Sequence, residues 1–188
     1  MTTMLLKQGG MRSVSTGTLA GAGSFHCEKC GFAVALQERD EVPICPNCRG
    51  GRFKRASIFG RPGAARPESV QVSEHPGWLD DTRASLPEPG DYLAYEGDDG
   101  VQLAPLADGW TRVGRSLAAQ LRFDDPTVSR RHALVHRDGS RVRVLDDRSL
   151  NGLLVNGERV DWREISDGDE LMIGRFRLYF LRAPAQPA

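Results

Sequence analysis

Two stretches of this 188-residue chain hold residue types that could do chemistry. In "CEKCGFAVALQERDEVPICPNC", Cys27, Cys30, Cys45 and Cys48 form two C-x-x-C pairs with fourteen residues between them. Each pair can build a tight knuckle whose thiolates face one ion, with Gly31 and Pro46 standing where such turns need unusual or fixed dihedrals. Four thiolates close a tetrahedron and leave no position for a substrate. The doubled pair therefore predicts a structural metal, zinc, with iron as the chemical rival because a tetrathiolate site holds either. A redox dithiol is the other alternative, and two pairs without a βαβ pattern do not suit it. His26, beside Cys27, is read as a surface or packing histidine, since four thiolates already satisfy the ion.

The second stretch, "DDPTVSRRHALVHRDGSRVRVLDDRSLNGLLVNGERV", runs from Asp124 to Val160 and gathers a serine, paired arginines, a histidine and Asn-Gly steps. Ser129 and His132 lie three residues apart and Asp146 and Asp147 follow. "TVSRRHA" nonetheless lacks the Gly-x-Ser-x-Gly elbow that lifts one kind of nucleophile beside an oxyanion hole, so hydrolysis is not expected. Arginines that converge with short hydroxyl and amide side chains on loops suit a phosphate monoester instead. The guanidinium supplies charge and a donor fork, and serine and asparagine add oriented hydrogen bonds. A separate run after the last cysteine, "RGGRFKRASIFGR", has five basic residues, no acid and two phenylalanines. It makes nucleic acid an alternative partner for the cysteine segment, against the simpler reading of a solvated strand face.

These residues need a scaffold. From Asp91 onward short apolar runs alternate with turn signals, and "RVRVLDD" and "RFRLYFLR" have the period of half-buried strands. Asp138-Gly139, Asn156-Gly157 and Asp167-Gly168 read as hairpin turns. Many strands and no convincing helix predict an all-β sandwich over residues 91–183. Upstream, residues 1–24 are expected to be a disordered tail, 25–60 a compact metal-stapled unit, and 61–90 a Pro-rich linker from which Trp78 and Leu79 dock locally. Residues 184–188 form a short tail. Lys+Arg and Asp+Glu are balanced at 25 each, so no global field draws in nucleic acid or an anionic membrane. No apolar run approaches bilayer length, and cysteines confined to residues 27–48 without a secretory signal argue for reduced thiols. A cytoplasmic location with no membrane partner is expected.

"VGRS", "DDPTVSRRHA", "RSLNGLLVNGERV" and "DGDELMIGRFRLYFL" together resemble the forkhead-associated (FHA) domain over about residues 91–182, especially the small bacterial FHA proteins that act downstream of serine/threonine kinases. The cysteine segment resembles a zinc ribbon with rubredoxin-like knuckles. The resemblance implies a mostly β chain, a small tetrathiolate zinc ribbon followed by an eleven-stranded FHA-type β-sandwich whose loops at one end bind phosphothreonine peptides. It implies that Arg115 reaches the peptide or phosphate, that Ser129 hydrogen-bonds the phosphate, that Arg130 adds charge and that Asn151 holds the peptide backbone. Ser149 is a further phosphate-site residue; Arg131 and Arg148 either flank the pocket or stay solvated; Gly114, His132 and Gly152 are architectural. The loop "SLAAQLRF" departs from many family members in lacking small acidic or amide residues, with Gln120 a partial substitute, and this bears on peptide preference. The implied partners are phosphothreonine-containing proteins or kinases, and the implied function is that of an adaptor, not an enzyme. Thr82 in "WLDDTRAS", with Thr16 and Thr18 as rivals, is a threonine that could occupy the pocket in cis if phosphorylated, against the simpler and favoured reading of an unmodified linker.

Overall fold

The computed structural model describes residues 13–56 and 75–184, and the chain divides into two compact units, Met1–Ala64 and Ala65–Ala188. The first unit holds β1 (Ser13–Ser15), β2 (Gly23–Cys27), β3 (Ala33–Leu36) and β4 (Arg52–Arg55) in one antiparallel sheet ordered β1-β4-β2-β3. Phe25, Val34, Val42 and Phe53 bury themselves beside Cys27 and Cys45, a core small enough that something besides hydrophobic burial must hold it. The tail expected through residue 24 ends earlier. Val14 pairs with Phe53 and packs on the core, the Thr16 N–H reaches the Gly51 carbonyl at 2.8 Å, and the Val42 N–H reaches that of Thr18 at 3.0 Å. A three-residue strand with a single apolar side chain has no period to read, so only its partners reveal it. Residues 1–12 of that tail, 57–60 of the metal unit, 61–74 of the linker and 185–188 lie outside the described residues.

The second unit opens with α1 (Trp78–Ala84), where the sequence predicts linker and no helix. Its seven residues have no side-chain N-cap, and Asp80 and Asp81 in the first turn with Arg83 in the last complement the helix dipole only modestly. The helix forms because Leu79 and Trp78 pack against Tyr92, Ala94, Tyr179 and Leu181, so tertiary burial decides it rather than propensity. The same packing buries Thr82, which is 9% exposed. Of the three threonines considered for phosphorylation, Thr82 therefore lies in a packed helix rather than on an open linker. Thr18 is exposed, and the Thr16 hydroxyl donates to the Pro43 carbonyl at 3.2 Å.

Eleven strands follow in two sheets. β5 (Gly90–Gly97), β6 (Gly100–Pro105), β11 (Leu153–Val155), β12 (Glu158–Val160), β14 (Glu170–Ile173) and β15 (Phe176–Ala183) make a six-stranded sheet ordered β12-β11-β14-β15-β5-β6. β7 (Gly109–Gly114), β8 (Leu121–Arg122), β9 (Ala133–Asp138), β10 (Arg141–Asp146) and β13 (Trp162–Ile165) make a five-stranded sheet ordered β13-β10-β9-β7-β8. Among the described residues only β7 and β8 run parallel. The inward faces meet through Leu93, Val135, Val142, Val144, Leu171, Ile173, Leu178 and Phe180, each worth about 1.5–3 kcal/mol on burial. Asn156 and Gly157 both take positive φ, 51° and 80°, the pairing a two-residue hairpin turn requires, and they join β11 to β12. Asp138-Gly139 turns β9 into β10. Asp167-Gly168 does not make the expected hairpin: β13 and β14 lie in different sheets, and Gly168 instead donates to the Phe180 carbonyl at 2.8 Å while Phe180 donates to that of Asp169 at 2.9 Å. The turn is a corner between layers. No helix among the described residues is long and apolar enough to cross a membrane.

Candidate functional site

Three loops carry the sequence-predicted polar residues: Arg115–Gln120 after β7, Phe123–His132 between β8 and β9, and Asp147–Gly152 between β10 and β11. Their backbones are knitted together. The Arg115 N–H donates to the Ser129 carbonyl at 2.9 Å and the Ser116 N–H to that of Arg130 at 3.1 Å. Gly114 makes this approach possible, since a Cβ there would collide with the Arg130 carbonyl oxygen. The third loop joins through Ser129, whose Oγ accepts the Leu150 N–H at 3.0 Å. A hydroxyl oxygen that accepts in this way keeps its proton to give, which suits an anion in front of it.

His132 braces the junction from within. It is fully buried, its Nδ1 accepts the Ser129 N–H at 3.1 Å, and its Nε2 lies 3.3 Å from the Gly152 carbonyl. Nδ1 can accept only when unprotonated, so the ring is neutral and Nε2 carries the hydrogen toward Gly152. Burial pushes the imidazole down to about 4, against weaker upward pulls from the Gly152 carbonyl and the Asp146 carboxylate. Gly152 has φ +88°, and a Cβ there would strike the Arg159 guanidinium, which donates to the Asn151 carbonyl at 3.0 Å. Ser149, 5% exposed, accepts the Gly152 N–H on its Oγ at 2.8 Å while its own N–H donates to Asp146 at 2.8 Å. That hydroxyl is engaged inside the loop.

Arg115 is not an extended solvent-facing arm. Its side chain is 7% exposed, and its Nε donates to Asp124 at 3.1 Å, a contact that orients the guanidinium and holds the Asp124 carboxyl below its usual range. Arg130 is exposed. Asn151 is buried, with its amide donating to the Thr127 carbonyl at 3.4 Å. Arg131 forms a bidentate pair with Asp147 at 2.7 and 2.5 Å, which staples the second loop to the third and holds the Asp147 carboxyl low. Arg148 sits exposed at φ +61°, a conformation that costs a non-glycine residue about 1–2 kcal/mol.

Sequence reasoning missed the support behind these groups. Asp125 Oδ1 accepts both the N–H and the hydroxyl of Thr127, at 2.8 and 2.6 Å, and Asp125 Oδ2 pairs with Arg175 Nε at 2.7 Å. Thr127 Oγ1 in turn accepts the Arg175 N–H at 3.1 Å. The Gly174–Arg175 turn between β14 and β15 thus clasps the loop that presents Ser129 and Arg130. Asp-Pro-Thr is a local turn signal that could have revealed the first half; nothing in the sequence points to Arg175.

The four cysteines of the first unit form a separate centre, with all four Sγ atoms within 4.8 Å of one another. Cys27 and Cys48 lie 3.5 Å apart at sulfur, as do Cys30 and Cys45. The two knuckles repeat one geometry: the Gly31 N–H returns to the Cys27 carbonyl and the Arg49 N–H to that of Cys45, each at 2.9 Å. Gly31 has φ +74° and Arg49 φ +56°, so the second knuckle puts an arginine where the first has glycine. Gly50 leaves space that a Cβ would fill 3.2 Å from both Cys27 and Cys48 sulfurs. Burial pushes the Cys45 thiol up. His26 turns away toward the Gly31 carbonyl at 3.3 Å and is no ligand. Of the basic run, Arg52 and Lys54 pair with Glu28 but stay exposed, Arg55 donates to the Ala20 and Ala22 carbonyls and lies over the Phe25 ring, and Phe53 is fully buried. Phe59 and Arg61 of that run lie outside the described residues.

Residues 111–174 match the FHA domain family, and residues 4–57 match a family described as a zinc-ribbon containing domain. The chain is similar to the glycogen accumulation regulator GarA of Mycolicibacterium smegmatis, at 47% identity over 74 residues, 39% of this chain and 47% of that protein. It is likewise similar to the oxoglutarate dehydrogenase inhibitor of Corynebacterium jeikeium, at 48% identity over 71 residues, 38% of this chain and 49% of that protein. It thus spans about half the length of the curated relatives it matches. A solved FHA domain from work on phosphothreonine-dependent FHA interactions shares 31% identity, with a TM-score of 0.48, covering 50% of this chain and 97% of that one.

Proposed function

We propose that this chain, which joins an N-terminal zinc-ribbon domain to an FHA domain, is a phosphothreonine-binding regulator in serine/threonine kinase signalling that works as an adaptor. The observation that carries the reading is the convergence of Arg115, Ser129, Arg130 and Asn151 on three loops tied by direct hydrogen bonds at one junction of the sandwich. Ser129 gives a hydroxyl proton to a phosphate oxygen, Arg130 meets its charge, Arg115 orients the phosphopeptide with a guanidinium steadied by Asp124, and Asn151 holds the peptide backbone. Ser149 acts one step behind, bracing Gly152. A phosphate carries about −1.5 to −2 charges at neutral pH. Two or three charge-assisted hydrogen bonds at about 1.5–3 kcal/mol each supply much of the roughly 8 kcal/mol of a micromolar complex. The partners are phosphothreonine-bearing proteins, kinases among them. The names of the relatives, a regulator and an inhibitor, support regulation rather than catalysis. The four-thiolate centre suits zinc, bound structurally by Cys27, Cys30, Cys45 and Cys48, and the reducing cytoplasm is where such thiols stay available.

Fluorescence anisotropy with one phosphothreonine peptide and its phosphoserine, aspartate and unphosphorylated counterparts tests the assignment. Phosphothreonine should bind tightest, phosphoserine more weakly for want of a methyl worth about 1 kcal/mol, and aspartate poorly, being singly charged and shorter. Ser129→Ala and Arg115→Ala should abolish most binding, whereas Arg131→Ala should cost less. Equal binding of phosphorylated and unphosphorylated peptides, or unchanged binding by Ser129→Ala, would overturn it.

A further inference from the structure

The two sheets of the sandwich treat their outer faces differently. On the six-stranded sheet, α1 covers the β5 and β15 surface. Within this unit no described element covers the five-stranded sheet, whose outward residues fall into two cross-strand rows set by the register: Arg112, Leu134, Leu145 and Trp162 in one, Trp110, His136, Arg143 and Glu164 in the other. Trp162 is 65% exposed and Trp110 52%, with the Trp110 ring against that of His136 at a centroid separation of 4.3 Å. Exposed tryptophans side by side with leucines on a bare sheet mark a contact surface rather than ordinary scatter.

At its loop end this face deepens into a groove of about 600 Å³, within the size range of ligand pockets. Trp110, Leu134, Ala118 and Ala119 give it apolar walls, and Arg112, Ser116 and Arg130 line it as well. Ser116 and Arg130 tie the groove to the phosphate loops: they are joined by a backbone hydrogen bond of 3.1 Å, and Arg130 directly follows Ser129. A chain seated on Ser129 that leaves along Arg130 enters the groove. Charge adds a second requirement. Arg131 is paired with Asp147, which also lines the groove and feels the charge of Arg112, so three arginines against one carboxylate leave the groove net positive beside an apolar wall.

We propose that this groove is a second recognition site, which takes a bulky apolar residue flanked by a carboxylate from the same segment that carries the phosphothreonine. The inference rests on the phosphothreonine reading and deepens it: the loops read the phosphate, and the outer sheet face decides among phosphorylated partners. Trp110 and Leu134 receive the apolar side chain, and Arg112 receives the carboxylate.

The test uses the intact chain and a phosphothreonine peptide in a glycine/serine background, scanned one position at a time on each side. The wild type should favour Leu or Phe, and separately Asp or Glu, on one side of the phosphothreonine by about tenfold over the parent peptide. Trp110→Ala should lose the apolar preference. Arg112→Glu should reverse the charge preference toward Lys and Arg, a reversal that a merely structural role would not produce. Both variants should bind the parent peptide as the wild type does. A flat wild-type profile with phosphate dependence intact overturns the groove alone, as does an Arg112→Glu profile that still favours acids. Loss of phosphate dependence in the parent peptide overturns the underlying assignment and the groove with it.

Discussion

At the scale of single residues, the three polar loops depend on a histidine that must stay neutral. His132 accepts from the Ser129 N–H and faces the Gly152 carbonyl, so protonation would set an N–H against an N–H inside a dry core. With the imidazole at about 4 when folded and about 6.5 when unfolded, the unfolded chain binds the extra proton across that interval. Stability from this residue is therefore full above pH 6.5 and declines as pH falls toward 4, a difference on the order of 3 kcal/mol. Urea unfolding of the wild type at pH 7 and pH 5 should show the loss. His132→Asn, less stable throughout, should lose less between the same two values. An equal fall in both proteins would place the acid sensitivity elsewhere.

At the scale of elements, loop position is set by contacts between segments far apart in the chain. The β14–β15 turn holds the β8–β9 loop through Asp125, Thr127 and Arg175, over distances of 2.6–3.1 Å. Thr127→Val keeps the shape of the side chain but strands the Arg175 N–H and one Asp125 bond, at a cost of about 1–3 kcal/mol. It should also lower phosphothreonine-peptide affinity, because the Thr127 carbonyl is the acceptor for Asn151. Thr127→Ser restores the hydroxyl and should restore binding. Isothermal titration of both variants checks this, and equal affinities for Val and Ser would remove the clasp from the account. The α1 helix answers to the same logic: seven residues without a side-chain N-cap are too few to hold a helix alone, and it exists because Leu79 finds Tyr92 and Leu181.

At the scale of the whole molecule, each unit has its own core, and they are stabilised by different means. The sandwich buries a broad apolar interior between two sheets, whereas the first unit has few buried apolar residues around four cysteines. Structural zinc contributes about 10–16 kcal/mol of apparent binding energy in small zinc-finger peptides, more than so small a core can supply. A strong chelator under reducing conditions, or Cys45→Ser, should therefore unfold the first unit alone. Amide spectra should lose the dispersed signals of residues 13–56 and keep those of the sandwich, and phosphothreonine-peptide affinity should not change. Collapse of both sets of signals on chelation would refute the independence.

Much of this was legible in the sequence because it depends on local periodicity and spacing. Two C-x-x-C pairs announce the four-cysteine cluster wherever the chain goes. Strand alternation in residues 141–146 and the Asn156-Gly157 turn follow from side-chain period and positive φ, both properties of adjacent residues. What the sequence does not contain is which segments meet. The order of the two sheets, the corner at Asp167-Gly168, the helix at Trp78–Ala84, the strand at Ser13–Ser15 and the Arg175 clasp all arise from partners outside the local sequence. The same holds for the state of individual site residues. Composition says that Arg115, Arg130 and Arg131 are arginines; only packing makes the first buried and braced, the second exposed and the third committed to Asp147, because burial and pairing are set by neighbours in space rather than in sequence.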